Sequence, residues 1–304
     1  MSFHRKRVIM IWIFVIIAVL AAVFFILALG LASFVMTVKR QTLDEAFKWQ
    51  SDHYDTSFYE KIDKTDYTVE GCNGYRLFVE FLKNPRPTTK YIIITHGHTD
   101  NRFGSLKYVP MYLELGFNCV IYDLRAHGVN DETNTTYGIL EAKDLDLLIK
   151  DTRKRYPDIT QLGLHGESLG SATTVTCMKY RPQVDFAVAD CGFADLRNVL
   201  VQSVKLIHLP KFFVNIADVG IRIRYHYSID EMRPIDALKD NEIPILFIHG
   251  EADNFILPSN SKRMAEATKG YSECHMIPKA EHAGSILMNP ACYKKYVSDF
   301  LKNV

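Results

Sequence analysis

The sequence has 304 residues, of which 48% are hydrophobic and 23% charged, and its formal net charge is +1. That composition excludes a disordered chain and leaves material for one large core or two small ones. The even charge, with no basic stripe carrying interleaved aromatics, excludes a general attraction to nucleic acid.

From Val8 to Val38 there is no charged residue, a stretch long enough to cross a bilayer with some tilt. Arg5, Lys6 and Arg7 precede it, while Lys39 and Arg40 are soon answered by Asp44 and Glu45. This bias places the N-terminus in the cytoplasm and the rest of the chain outside, at the cell surface. A cleavable signal peptide is the rival reading, but the apolar run is too long for its hydrophobic region. Residues 1–40 are therefore expected to be a cytoplasmic tip and an uncleaved, single-pass transmembrane signal anchor. Gln41 to Lys61 is polar, with Leu43 and Phe47 one helical turn apart, and reads as a helix within a juxtamembrane stalk, 41–66.

A folded domain over 67–304 follows. Tyr67 to Gly71 and Tyr75 to Leu82 form a hairpin turning at Asn73-Gly74. Lys90 to Thr95 contains Tyr91-Ile92-Ile93-Ile94, suited to a strand covered on both faces. Leu106 to Leu115 reads as a helix, Asn118 to Tyr122 as a strand, and Leu140 to Tyr156 as a helix ending before Pro157. Further strands are expected at Leu162–His165, Val184–Ala189, Ile245–Ile248 and Cys274–Ile277, with helices at Ser171–Tyr180, Ser259–Ala267 and Tyr293–Leu301. Such alternation means right-handed βαβ units and a mostly parallel central sheet flanked by helices. One segment, about 193–238, holds no strand and mixes aromatics with Lys205, Lys211, Arg222 and Arg224. It is expected to be a helical cap insertion over a pocket at the carboxyl side of the sheet. The six cysteines lack C-x-x-C spacing and read as buried free thiols, with no zinc ribbon.

Gly166-Glu167-Ser168-Leu169-Gly170 lies between a buried strand and a helix. Strand, sharp turn with serine at its apex, helix: this is a nucleophile elbow. The apex holds a strained backbone, and the flanking glycines lack the side chains that would collide as strand and helix close together. The N–H of Leu169 is left at a helix N-terminus, where it can hold an oxyanion. A serine needs a base and the base an orienter. His282, in Ala280-Glu281-His282-Ala283-Gly284, supplies the base. Asp253, in His249-Gly250-Glu251-Ala252-Asp253-Asn254, supplies the acid, with Glu251 and Asp190 as competitors. The order Ser168, Asp253, His282, each in a loop after a strand, is that of the α/β-hydrolase scaffold.

Thr95-His96-Gly97-His98-Thr99-Asp100 follows an early strand. Gly97 permits a close backbone approach, so the N–H of His98 is the second oxyanion donor, with Thr99 the alternative. Gly97, Glu167 and Phe193 are expected to line the substrate site. His96-x-His98-x-Asp100 also opens the H-x-H-x-D-H signature of metallo-β-lactamase-type hydrolases. Asn101 stands where that signature needs histidine, so no metal is expected. Asp123 and Arg125 are expected to tie down their loop.

The set H-G-H-T-D-N-R, D-L-R-A-H-G, G-E-S-L-G, H-G-E-A-D-N-F-I-L-P and E-H-A-G-S resembles the α/β-hydrolase superfamily. It is most similar to the serine aminopeptidase and monoacylglycerol-lipase-like branch, including membrane-anchored cell surface hydrolases. The resemblance runs from about Tyr67 to the C-terminus and implies Ser168 as nucleophile, Asp253 as acid and His282 as base. Ala126 and Asn130 depart from the family's D-x-R-G-H-G-x-S. The expectation is a serine esterase with no cofactor, acting on a small-molecule or lipid-like acyl substrate, with the membrane as a partner and the oligomeric state open. A peptidase or amidase, or a non-catalytic membrane-tethered binding protein on the same fold, are the alternatives.

Overall fold

The computed structural model describes residues 3–304. Met1 and Ser2, part of the expected cytoplasmic tip, lie outside the described residues. Eight strands form one sheet: β1 (Lys64–Glu70), β2 (Arg76–Leu82), β3 (Lys90–Thr95), β4 (Asn118–Tyr122), β5 (Gln161–Glu167), β6 (Phe186–Asp190), β7 (Ile245–Gly250) and β8 (Ser272–Ile277). Their order is β1-β2-β4-β3-β5-β6-β7-β8, antiparallel in the first two pairings and parallel from β4 to β8. The expected hairpin is present. Its turn runs through Asn73 and Gly74 at φ 60° and 71°, the left-handed conformations these residues accept at least cost.

Among the described residues, eleven α-helices accompany the sheet: α1 (Phe3–Met36), α2 (Leu43–His53), α3 (Phe58–Lys61), α4 (Val109–Glu114), α5 (Ile139–Arg155), α6 (Leu169–Cys177), α7 (Leu196–Leu206), α8 (Phe212–Tyr225), α9 (Ser259–Ala267), α10 (Ser285–Met288) and α11 (Pro290–Phe300). The all-apolar strands feed two cores because successive side chains point to opposite faces. Ile93, Val120 and Leu164 pack with Leu145 and Leu148 of α5 and Val175 of α6. Ile92, Ile94 and Ile121 pack with Tyr112 of α4 and Tyr293, Val297 and Phe300 of α11. This is the α/β-hydrolase fold, with its loops gathered at the carboxyl ends of the parallel strands. All six cysteines are free, and three of them are buried.

Two segments sit differently from expectation. α2 does not stand off as a stalk: Phe47 packs its ring between Tyr59 and Phe103, at 5.5 and 5.6 Å between centroids, which fastens the helix to the domain. Thr42 caps it, its hydroxyl accepting from the Glu45 amide while the Glu45 carboxylate accepts from the Thr42 amide, a reciprocal arrangement that fixes where the helix starts. The strand-free insertion forms α7 and α8, and α8 packs along the second half of α1 instead of roofing the pocket.

The loop after β4 explains both departures from the family pattern. Ala126 stands where the pattern has glycine, buried and at φ 66°, a conformation that costs an L-residue roughly 1–2 kcal/mol. Asn130 replaces the pattern's serine and ties the loop down. Its Oδ1 accepts from the Phe78 amide, and its Nδ2 donates to the carbonyls of Asp123 and Leu124. Replacing Ala126 by glycine is expected to stabilise the protein by about 1 kcal/mol in urea unfolding; a loss of stability would mean that the Cβ packing outweighs the backbone strain.

Candidate active site

Close backbone packing builds the elbow. Ser168 sits between β5 and α6 at φ 53° and ψ −112°, outside the regions a serine ordinarily occupies. A Cβ on Gly166 would collide with the Gly170 carbonyl, and one on Gly170 would collide with the Thr95 carbonyl at the end of β3. These contacts with immovable backbone leave glycine as the one residue that fits, and they hold the Ser168 hydroxyl above the sheet.

The three loop residues named from the sequence come together there. Ser168 Oγ lies 2.9 Å from His282 Nε2, and His282 Nδ1 lies 2.7 Å from Asp253 Oδ2. The Nδ1–H donates to the carboxylate, so Nε2 carries a lone pair that accepts from the serine hydroxyl. The His282 ring thus meets Asp253, which is buried, and not the exposed Glu251. Asp253 Oδ1 accepts from the amides of Phe255 and Ile256, at 2.9 Å each. Burial alone would raise this carboxyl, but hydrogen bonds from His249 and His282 outweigh it and hold it at about 2, so it is ionised under all ordinary conditions.

His249 was missed in the sequence, although it opens the H-G-E-A-D motif. Its Nε2 lies 3.1 Å from Asp253 Oδ2 and 2.7 Å from the Ile256 carbonyl, while its Nδ1 faces Ser261 Oγ at 2.7 Å. The ring thus braces the acid from behind. No spacing rule marks such a residue, because its role depends on a loop folding back over it.

The loop expected to supply the second oxyanion donor runs alongside. A Cβ on Gly97 would stand 3.6 Å from Ser168 Cβ and 3.3 Å from a Glu167 carboxylate oxygen, so this loop passes directly beside the elbow. The next amide, that of His98, makes no hydrogen bond within the protein among the described residues. Leu169 is the first residue of α6, with its N–H at the helix N-terminus. Thr99 takes φ 67°, which turns the chain away after His98. The His98 side chain packs against His127 and Tyr137. His96 is a cross-link: its Nε2 accepts from the Leu124 amide and its Nδ1 faces the Gly97 carbonyl at 2.7 Å. Burial lowers His96 to about 4 and also lowers His98, so both rings are neutral. Asp123 holds Arg102 and the Val129 amide, and Arg125 pairs with Asp144.

Glu167 is a surprise. It faces Lys107 at 2.5 Å and accepts from the Tyr108 hydroxyl at 2.5 Å, in an almost solvent-free setting. Lys107 also donates to the Ala283 carbonyl at 2.9 Å. One ammonium group therefore ties the neighbour of Ser168 to the neighbour of His282. Burial alone would lower Lys107, yet the Glu167 charge beside it outweighs that and raises it. Asp190, the second competitor for the acid role, lies on this network through Tyr108 and makes no contact with His282.

A cleft of 840 Å³ opens over Ser168 and His282, and Gly97, His98 and Glu167 line it. Phe193, expected to touch substrate, is buried in the core at 3% exposure and lines no part of the cleft. The insertion that carries it turns toward α1, so the wall comes from elsewhere. Trp49, Gln50 and His53 of α2, with Phe255, Leu287 and Met288, provide it.

Comparison with known proteins fits this geometry. The sequence profile of the prolyl oligopeptidase family matches residues 105–304, a span that holds all three loop residues. The chain belongs to the prolyl oligopeptidase family. With its fold, that places it in the α/β-hydrolase superfamily, as the motifs imply. The Bacillus subtilis protein YqkD is 30% identical over 298 residues, 95% of this chain and 97% of its own, so the similarity to it reaches into the N-terminal helix. Among solved structures, the Pyrococcus furiosus esterase Pf2001 superposes with a TM-score of 0.66 at 21% identity, covering 82% of this chain and 96% of its own. The Pyrococcus horikoshii acylaminoacyl peptidase does so with a TM-score of 0.59 at 16% identity, covering 82% of this chain and 43% of its own. These two show that the shared fold extends beyond the residues the profile matches.

Asp190 offers a pH test. Burial, and then the Glu167 charge, raise its carboxyl from 3.8 to about 6. Its protonated form is favoured in the folded state, so the stability it contributes is complete below about pH 4 and is lost as pH rises through 6. Replacing Asp190 by asparagine is expected to shift the melting temperature relative to wild type increasingly upward between pH 4 and pH 7. A shift that does not vary with pH would show that Asp190 is ionised throughout.

Proposed function

We propose that the protein is a membrane-anchored serine hydrolase that cleaves an ester or related acyl bond through an acyl-enzyme. The observation that carries this reading is the unbroken chain from Ser168 Oγ through the His282 ring to Asp253, with contacts of 2.9 and 2.7 Å. His282 Nε2 takes the hydroxyl proton as Oγ bonds to the acyl carbon, and the carbonyl electrons move to oxygen, where the amides of Leu169 and His98 stabilise the charge. The oxyanion then collapses, and the leaving group departs with the proton from His282. Water repeats the sequence on the acyl-enzyme and restores Ser168.

Esterase is the first reading because Pf2001, which shares the fold over most of this chain, is described as an esterase. Peptide or amide cleavage is the second, favoured by the family that the profile describes. Anchoring rests on α1: residues Arg5–Met36 are long and apolar enough to cross a bilayer. With the basic residues on its N-terminal side, the hydrolase domain faces outward.

Labelling by a fluorophosphonate probe tests the nucleophile: wild type reacts and Ser168→Ala does not, whereas retained labelling would move the nucleophile elsewhere. A panel of p-nitrophenyl esters set beside aminoacyl anilides separates the two readings, with ester turnover expected to dominate. Asp253→Asn is expected to lower turnover by about 10⁴ with the fold kept. Lys107→Met is expected to lower kcat with little change in KM, since it loosens the Ser168–His282 alignment without removing a reacting group; a change confined to KM would make Lys107 a substrate contact instead.

A further inference from the structure

α8 lies against α1 with the two chains running the same way. Gly220 makes the approach possible, because a Cβ there would collide with the Ala28 carbonyl and stand 2.9 Å from Ala32 Cβ. Four residues on, Arg224 Nη1 donates to Ser33 Oγ at 2.7 Å. Beyond that, the Met36 carbonyl accepts from the Thr135 amide, near Glu141, whose charge also reaches Tyr227 just past α8. Along α1, Ala28, Ala32 and Met36 are fully buried, while Val8 to Leu27 are exposed. The last part of α1 is thus a docking segment on the protein, and the exposed part, about 20 residues at 1.5 Å each, matches a hydrocarbon core of about 30 Å.

The parallel register has a consequence for the start of α8. Phe212 stands eight residues before Gly220, about 12 Å back along the helix. It is therefore level with the exposed, apolar part of α1, not with the docking segment. The turn that leads into it exposes Leu206 at 48%, Ile207 at 65%, Leu209 at 43% and Phe212 at 51%. An exposed Lys205 and an exposed Lys211 flank these residues, and from 203 to 213 there is no acidic residue.

We propose that this α7–α8 turn, residues 206–213, is embedded at the boundary between headgroups and acyl chains, in the leaflet α1 crosses on its way to the domain. The leucines, isoleucine and phenylalanine enter the acyl region, and the two lysines reach back toward lipid phosphates. The proposal rests on reading α1 as a membrane span. It adds a second point of attachment, which fixes how the hydrolase domain is held over the surface, where a single tether leaves it free to turn.

The test uses the full chain reconstituted in phosphatidylcholine vesicles containing phosphatidylglycerol and lipids brominated in the upper acyl chain. The sequence has two tryptophans, so Trp49→Phe leaves Trp12 to report on α1. Trp12→Phe, Trp49→Phe and Phe212→Trp together report on the turn, Ile207→Trp in the same background is a second reporter, and Tyr271→Trp is the water-facing control. The turn reporters are expected to lose roughly half or more of their emission to bromine, with protection from aqueous acrylamide, while the control responds to acrylamide alone. If Trp12 is quenched by bromine and both turn reporters behave like the control, the embedding is overturned and the anchor stands. Turn reporters shielded from acrylamide but indifferent to bromine would mean that protein, such as a second copy, covers the turn, and would equally overturn the proposal. If Trp12 also escapes bromine, the anchor reading fails and takes the embedding with it.

Discussion

The approach of three backbone segments at the elbow governs the arrangement of everything around it. β5 must end, turn and enter α6 while the carboxyl end of β3 passes close by, and the space between them is too small for any side chain at Gly166 or Gly170. Packing at that distance forces Ser168 into a backbone conformation that is costly in isolation, and only a surrounding structure that over-determines it can hold it there. The result is a hydroxyl whose position is set by the sheet itself. The same approach brings the loop of Gly97 and His98 alongside Ser168.

Around this fixed point, the remaining groups are held by pairs of contacts from different loops. Asp253 receives two backbone amides on one oxygen and two imidazoles around the other, so its geometry does not depend on any single bond. Lys107 spans the elbow and the His282 loop. Because that ammonium is nearly dry, its attraction to Glu167 is stronger than it would be in water, and breaking it would leave a buried charge uncompensated. The two ends of the serine–histidine contact are therefore linked through a second route, in the wall of the cleft.

The N-terminal segment is less an appendage than its composition suggests. α1 contributes its final turns to packing against α8, and α2 contributes aromatic and polar side chains to the cleft wall. Both roles follow from short-range facts legible only in three dimensions: small residues at Ala28, Ala32 and Gly220 allow two helices to touch, and Phe47 finds a slot between Tyr59 and Phe103. The insertion consequently leaves the cleft to α2 and carries its own apolar tip level with the exposed, apolar part of α1.

Local chemistry was enough to read much of this from the chain. Period-two and all-apolar runs gave the strands, the alternation with helices gave a parallel sheet, and G-E-S-L-G named Ser168, because strand, turn and helix chemistry all act within a few residues. Chain order then marked Asp253 and His282 as partners that the sheet's topology would deliver to one edge. What the sequence could not determine were the relations between segments far apart along it: His249 behind Asp253, Lys107 between the Ser168 and His282 loops, α2 at the cleft and Phe193 in the core. Those depend on which surfaces meet once the sheet has formed, and shape complementarity between distant segments leaves no periodic trace in the amino-acid order.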